Sequence, residues 1–164
     1  DPNSPAVIGL TSPSNMALVE KLGTYDKAVP YDQLESIDAS VPTVIVDMSG
    51  NTDVLGRLHA HLGDNMVFCS NVGVTHWDET GKNPDINVER SEFFFAPGHI
   101  QKRVGEWGAA AFDQKVNDFM ADTSAKCRDW LKIQDVDGLT GMEEIYDDVC
   151  SGKLSADQGI IVRL

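Results

Sequence analysis

From Pro42 to Gly73 the chain reads PTVIVDMSGNTDVLGRLHAHLGDNMVFCSNVG, and this order of residues leaves few folds open. Thr43 to Asp47 is apolar at successive positions and β-branched, the signature of a strand covered on both faces. It runs into a Ser-Gly-Asn turn. Asn51 or Thr52 then caps a helix that carries Val54, Leu55, Leu58 and Leu62 on one side and stops at Gly63. Met66 to Cys69 is a second buried strand, ending in another small polar turn. Strand, helix and strand with connections this tight predict a right-handed parallel unit.

The same grammar recurs on either side. Residues 6–11 (AVIGLT) read as a short buried strand, Ser12 as an N-cap and Pro13 as the first residue of a helix. Leu18, Val19 and Leu22 give that helix its face, and Gly23 ends it. Residues 27–31 hold a short strand that Pro30 confines to an edge or to its own end. Residues 32–40 make a turn or a short helix, and 74–91 an exposed polar loop. EFFFAPGHIQKRVGEWG gives an aromatic strand, then a helix with Ile100, Val104 and Trp107 in register. A long amphipathic helix follows from Ala110 to Leu131, with Phe112, Val116, Phe119, Met120, Cys127 and Trp130 on its apolar side. WLKIQDVDG holds a further strand. The helix after it carries Leu139, Met142, Ile145, Tyr146 and Val149, with Thr140 and Glu143 spaced as a capping box. QGIIVRL closes as a strand. The Phe93-Phe94-Phe95 strand reads either as a pairing edge or as buried core, and core is favoured. The pattern predicts an α/β fold, an incomplete Rossmann-like, mostly parallel sheet with helices on both faces, in a single domain over residues 1–164.

Composition limits the partners. The net charge is −13 and the isoelectric point about 4.5. That argues against nucleic acid and anionic membrane, both of which need basic surface. No apolar run reaches the ~18 residues of a membrane span. A nucleotide is still allowed, because its site needs only a few local donors. Cys69, Cys127 and Cys150 are odd in number and in no CxxC pattern, which points to a reducing compartment such as the cytoplasm. Cys69 lies in an apolar run and reads as a buried small hydrophobe.

In open α/β sheets ligands sit at the carboxyl ends of the strands. Three such ends are small and polar: Thr11-Ser12, Ser49-Gly50-Asn51 and Ser70-Asn71-Val72-Gly73. If the strands are parallel neighbours, these ends share a rim. At Ser12-Pro13 two readings stand: an ordinary helix cap, the commoner case, and a phosphate seat made of helix-end N–H groups and two hydroxyls. In a dinucleotide fold the turn after the second strand meets the adenine ribose, where an Asp or Glu would repel a 2′-phosphate. No acid stands here. Other chemistries find no support. His59 and His61 are two apart on a helix and face different ways. His76 and His99 lack a metal-ligand spacing, so a structural zinc is not expected. There is no GxSxG elbow, GxGxxG or Walker motif. The acid pairs Glu143-Glu144 and Asp147-Asp148, and the basic island HIQKR at 99–103, read as solvated helix faces.

The segment AVIGLTSPSNMALVEKLGTYDKAVPYDQL resembles the second strand, following helix and LG-x-D-x-V-x-x-Y stretch of the medium-chain dehydrogenase/reductases of quinone-oxidoreductase type. TVIVDMSGN and GDNMVFCSNVG resemble the family's next two core strands. GLTGMEEIYDDVCSGKLSADQGIIVRL resembles its C-terminal ending. The GLTSP-x-N and EFFFAP wording is shared with the DUF2855 branch. The resemblance implies a Rossmann domain binding NAD(P)H, present here without its first strand, Gly-rich turn and first helix and without the family's catalytic domain. In the family's strand order the absent strand sits between those of Ile8 and Ile45, so either another chain fills that gap or the sheet closes differently. Carried over by position, Thr11 and Ser12 meet the adenosine 2′-phosphate and Tyr31 flanks it. Ser49, Gly50 and Asn51 lie near adenosine and ribose, and Ser70, Asn71 and Val72 near the nicotinamide ribose. Many NADPH-using relatives carry a Lys early in the helix after the second strand, where Asn15 and Met16 stand here. The implied function is the NADP(H)-binding portion of a zinc-independent oxidoreductase acting on a small carbonyl or activated alkene, with no metal. No catalytic residue is assigned, and this chain alone is expected to be inactive. The alternative is a non-catalytic binding or structural module that keeps the fold, and a homodimer is also allowed.

Overall fold

The computed structural model describes residues 4–73 and 83–164. It is α/β, and every strand pair in it is parallel, as a Rossmann-like reading requires. Strand β1 (Ile8–Thr11) leads through a 3-10 turn (Pro13–Asn15) and helix α1 (Met16–Leu22) to β2 (Lys27–Pro30), which pairs with it from Ile8 opposite Lys27 to Thr11 opposite Pro30. A second 3-10 turn (Tyr31–Ser36) carries the chain to β3 (Thr43–Asp47), α2 (Thr52–Leu62) and β4 (Met66–Asn71), and β4 pairs in turn with β5 (Ser91–Phe93). Helices α3 (Ala96–Trp107) and α4 (Ala109–Cys127) follow. Strand β6 (Lys132–Asp137), α5 (Gly138–Cys150) and β7 (Gln158–Arg163) form a further parallel unit.

The strands make three sheets, β1-β2, β3-β4-β5 and β6-β7. Among the described residues β1 and β3 belong to different sheets. One core nonetheless spans both. Val29 of β2, Leu34 and Ile37 from the 3-10 region, Ile45 of β3, Leu55, Leu58 and Leu62 of α2, and Met66 and Cys69 of β4 are buried together, with Leu10 of β1 packed against them.

Local signals set most boundaries. Gly23 takes the left-handed conformation (φ 62°) that closes α1, a geometry costly for any residue with a Cβ. The Asn51 side-chain oxygen accepts the N–H groups of Asp53 at 3.1 Å and Val54 at 3.0 Å, so Asn51 caps α2. Four expectations differ. The Ser12 side chain does not cap; its hydroxyl meets that of Ser14 at 2.9 Å, and α-helix begins only at Met16. The chain turns in 3-10 geometry over Pro13–Asn15 first, which leaves α1 only seven residues. The Thr140–Glu143 capping box does not form, because α5 starts at Gly138 and places Thr140 inside the helix. The long helix stops at Cys127, and its apolar stripe is not buried. Phe93 and Phe95 are exposed, not core, since β5 is the outer strand of its sheet. The polar loop expected at 74–91 lies in part outside the described residues, and so does His76.

Candidate functional site

The nine candidate residues all sit at or just past the carboxyl ends of strands, and all are half-buried. Thr11 ends β1 and Ser12 follows it. Tyr31 follows Pro30, the partner of Thr11, so these three neighbour one another along the β1-β2 pair. Ser49, Gly50 and Asn51 form the turn between β3 and α2. Ser70 and Asn71 end β4, with Asn71 opposite Asp47 in register, and Val72 leaves the sheet.

Asp47 organises the β3-β4 half. Its carboxylate accepts the Ser49 N–H and the Ser49 hydroxyl, both at 3.0 Å, and the Gly50 N–H at 3.1 Å. Its main-chain carbonyl accepts the N–H groups of Val72 at 2.8 Å and Gly73 at 3.2 Å. One residue therefore holds the turn after β3 to the chain leaving β4. Gly50 has φ 71°, which the turn demands. A Cβ on Gly73 would run into the main-chain oxygen of Met48, so glycine is required by close approach there as well. The Asn51 N–H donates to the Ser49 hydroxyl at 3.2 Å. The Asp-x-Ser-Gly spacing is the available sequence signal for such a turn, but sequence reading assigned no role to Asp47.

Tyr31, just past the end of β2, has its phenol held above its ordinary 10.0 by burial and then by the charge of Asp47 at the end of β3. The Tyr31 phenol thus lies within reach of the Asp47 charge. The Tyr31 hydroxyl is protonated at neutral pH and is a hydrogen-bond donor there. Cys69 lies below this rim. Its thiol donates to the Asn71 side-chain oxygen at 3.3 Å. Burial first, and the Asp47 charge second, push it up to about 11.

Cys69 is accordingly unreactive near neutral pH, because the thiolate is the nucleophile. With a thiol-selective aromatic disulfide at pH 8, the exposed Cys150 is expected to react in the folded protein and Cys69 only after denaturant is added. Labelling of Cys69 at the rate of Cys150 in the native state would contradict this placement.

His59 and His61 diverge as their spacing requires. His61 meets the main-chain oxygen of Ile37 at 2.8 Å. His59 is buried in α2, where its Nδ1 accepts the Asn87 N–H at 3.0 Å, and burial holds it below its ordinary 6.5. It is neutral and fastens the chain before β5 to α2. A separate depression of about 400 Å³ lies where β6 meets α5, lined by Asp135, Asp137, Thr140 and Glu144 among others. Its carboxylates repel anions, and Asp135 already accepts from Arg163 at 3.0 Å.

The rim therefore offers hydroxyls, amides and one phenol, with a carboxylate occupied by its own turn. That chemistry suits a polar, neutral-to-anionic small molecule. No curated protein and no solved structure matches the chain. One family model does, over residues 1–155, and the chain belongs to that family, described as protein of unknown function (DUF2855).

Proposed function

We propose that this chain is the NADP(H)-binding portion of a zinc-independent oxidoreductase of the medium-chain dehydrogenase/reductase type, acting on a small carbonyl or activated alkene in a reducing compartment. The observation that supports it most is the nearness of two polar strand ends, Tyr31 of the β1-β2 half lying within the field of Asp47 of the β3-β4 half. Parallel strands with small polar ends on one side are where open α/β sheets bind nucleotides. Thr11 and Ser12 take the 2′-phosphate, Tyr31 flanks it, Ser49, Gly50 and Asn51 take adenosine and ribose, and Ser70, Asn71 and Val72 approach the nicotinamide ribose. The cofactor supplies the hydride, and this part of the protein positions it.

A second reading, a non-catalytic module, draws on a specific observation. The Ser49 and Gly50 N–H groups are turned to Asp47, and the Ser12 hydroxyl to Ser14, so part of the rim is engaged within itself. Titration with NADPH and NADH by calorimetry, on this chain and on polypeptide extended ahead of Asp1, separates the two. Tighter binding of NADPH than NADH, reversed by Ser12→Asp, is expected. No heat from either nucleotide with either protein would leave the module reading in place.

A further inference from the structure

The stretch from Asn83 to Arg90 lies along α2 as a strap, tied down at three points. At the start of the helix the Asn83 side-chain amide donates to the Thr52 carbonyl at 3.0 Å. A Cβ on Gly56 would collide with that Asn83 side chain, so the strap lies close against the helix. Beyond the end of the helix the Arg90 guanidinium donates to the main-chain oxygens of Asp64 and Met66, both at 3.0 Å. Between these ties the Asn87 N–H donates to Nδ1 of His59 at 3.0 Å. Ile86, next to it, packs against the core. The strap runs directly into β5: the Ser91 hydroxyl donates to the Asn87 carbonyl at 2.6 Å, and β5 pairs only with β4 among the described strands. Of the three ties, only the central one is made by a group that titrates near neutral pH.

That tie fixes the state of the imidazole. A main-chain N–H can only donate, so Nδ1 is the acceptor and the ring proton sits on Nε2. Nε2 is buried and has no hydrogen-bond partner among the described residues. A second proton can go only to Nδ1, where it would meet the Asn87 N–H donor against donor. The imidazolium would then lie buried with neither N–H accepted. We propose that His59 is an acid-released latch: protonation of Nδ1 breaks the bond to Asn87, frees the strap from α2 and loosens β5 at the edge of β4. No neighbouring charge offsets this. On α2, Arg57 is paired with Glu35 and His61 with the Ile37 carbonyl. On the strap, Arg90 is turned to Asp64, and Asp85 and Glu89 are exposed, as is Glu92 of β5. On β4 the titratable group in the core with α2 is the Cys69 thiol, pushed up to about 11 and so neutral here. Burial is the one cause acting on His59, and it holds the ring below the ordinary 6.5 to which a released ring returns. Release therefore takes up a proton, so the latch holds above pH 6.5 and weakens as the pH falls below it. The Asn71 carbonyl accepts the Phe94 N–H at 2.8 Å, so the loosening reaches the end of β4. The inference rests on the bonds of α2 and the strap and stands whether or not a nucleotide binds.

Nitrogen NMR of the histidine rings reads the latch directly. At about pH 7.5 His59 is expected as the tautomer with a bare Nδ1. Amide hydrogen exchange reads the release. Between about pH 7.5 and about pH 5 the protection factors of the Asn87 and Phe94 amides are expected to fall by roughly tenfold or more, while those inside α2 hold. His59→Asn is the comparison, because its side-chain oxygen can accept the Asn87 N–H near the place of Nδ1 and does not titrate. In that variant the two protection factors are expected to stay level over the same range. A proton on Nδ1 at about pH 7.5 would overturn the proposal. So would a flat profile in the parent, or a fall shared by α2, which marks unfolding of the whole. An equal fall in His59→Asn would place the titrating group elsewhere and overturn it too. Should His59→Asn not fold, the tautomer and the parent's profile still decide.

Discussion

Leu34→Ala is expected to lower the unfolding free energy by about 3–4 kcal/mol, the range for emptying a fully buried leucine site. Leu34 has no exposed surface. It stands in the short 3-10 turn between β2 and β3 and packs in the core that both sheets share with α2. No strand-to-strand hydrogen bond joins those two sheets, so this cluster holds them to one another, beside polar ties such as His61 to the Ile37 carbonyl and Arg57 to Glu35. A cavity at Leu34 therefore weakens the contact between two halves as well as the core itself. For a chain of this size the loss corresponds to a fall of roughly 10 °C in thermal midpoint. Urea unfolding followed by circular dichroism measures it, with Phe119→Ala on the exposed side of α4 as the control, expected within about 0.5 kcal/mol of the parent. A loss below about 1 kcal/mol for Leu34→Ala would mean that the two sheets do not share the core described.

Asp47→Ala carries the second large effect, about 2–3 kcal/mol, because it removes the carboxylate that accepts the Ser49 and Gly50 N–H groups and the Ser49 hydroxyl in a half-buried turn. Asp47→Asn separates geometry from charge. The amide oxygen still accepts one donor, while the negative charge is gone, and a loss nearer 1 kcal/mol is expected. Removing the charge also removes the second cause that holds the Tyr31 phenol and the Cys69 thiol high. Burial, the larger cause, persists. Both groups therefore titrate lower in Asp47→Asn than in the parent, the thiol below about 11 but above its ordinary 9.0. Thiolate absorbance near 240 nm and tyrosinate absorbance near 295 nm follow the two directly. Unchanged titration of Tyr31 would detach the β2 end from the β3 end and remove the main support for the nucleotide reading.

What could be read from the sequence was local. Thr43–Asp47, the Asn51 cap and the stops at Gly23 and Gly63 each depend on a few adjacent residues whose backbone preferences agree. The apolar stripe of α4 was legible as a helix, since periodicity reports which side chains share a face. It does not report what that face meets, and here Phe119 and Met120 are exposed. Ser12 shows the opposite limit. A serine before a proline has the composition of a cap, but a neighbouring Ser14 hydroxyl competes for it, and composition does not rank the two bonds. Asp47 escaped notice because its importance comes from two turns meeting, and only one of them adjoins it in the chain.

That meeting has a mechanical consequence. Because one residue clasps the loop beyond β3 with its carboxylate and the loop beyond β4 with its carbonyl, the two loops are geared together. A molecule that displaces either of them drags the other, and a substitution chosen to reshape one contact retunes its neighbour at the same time.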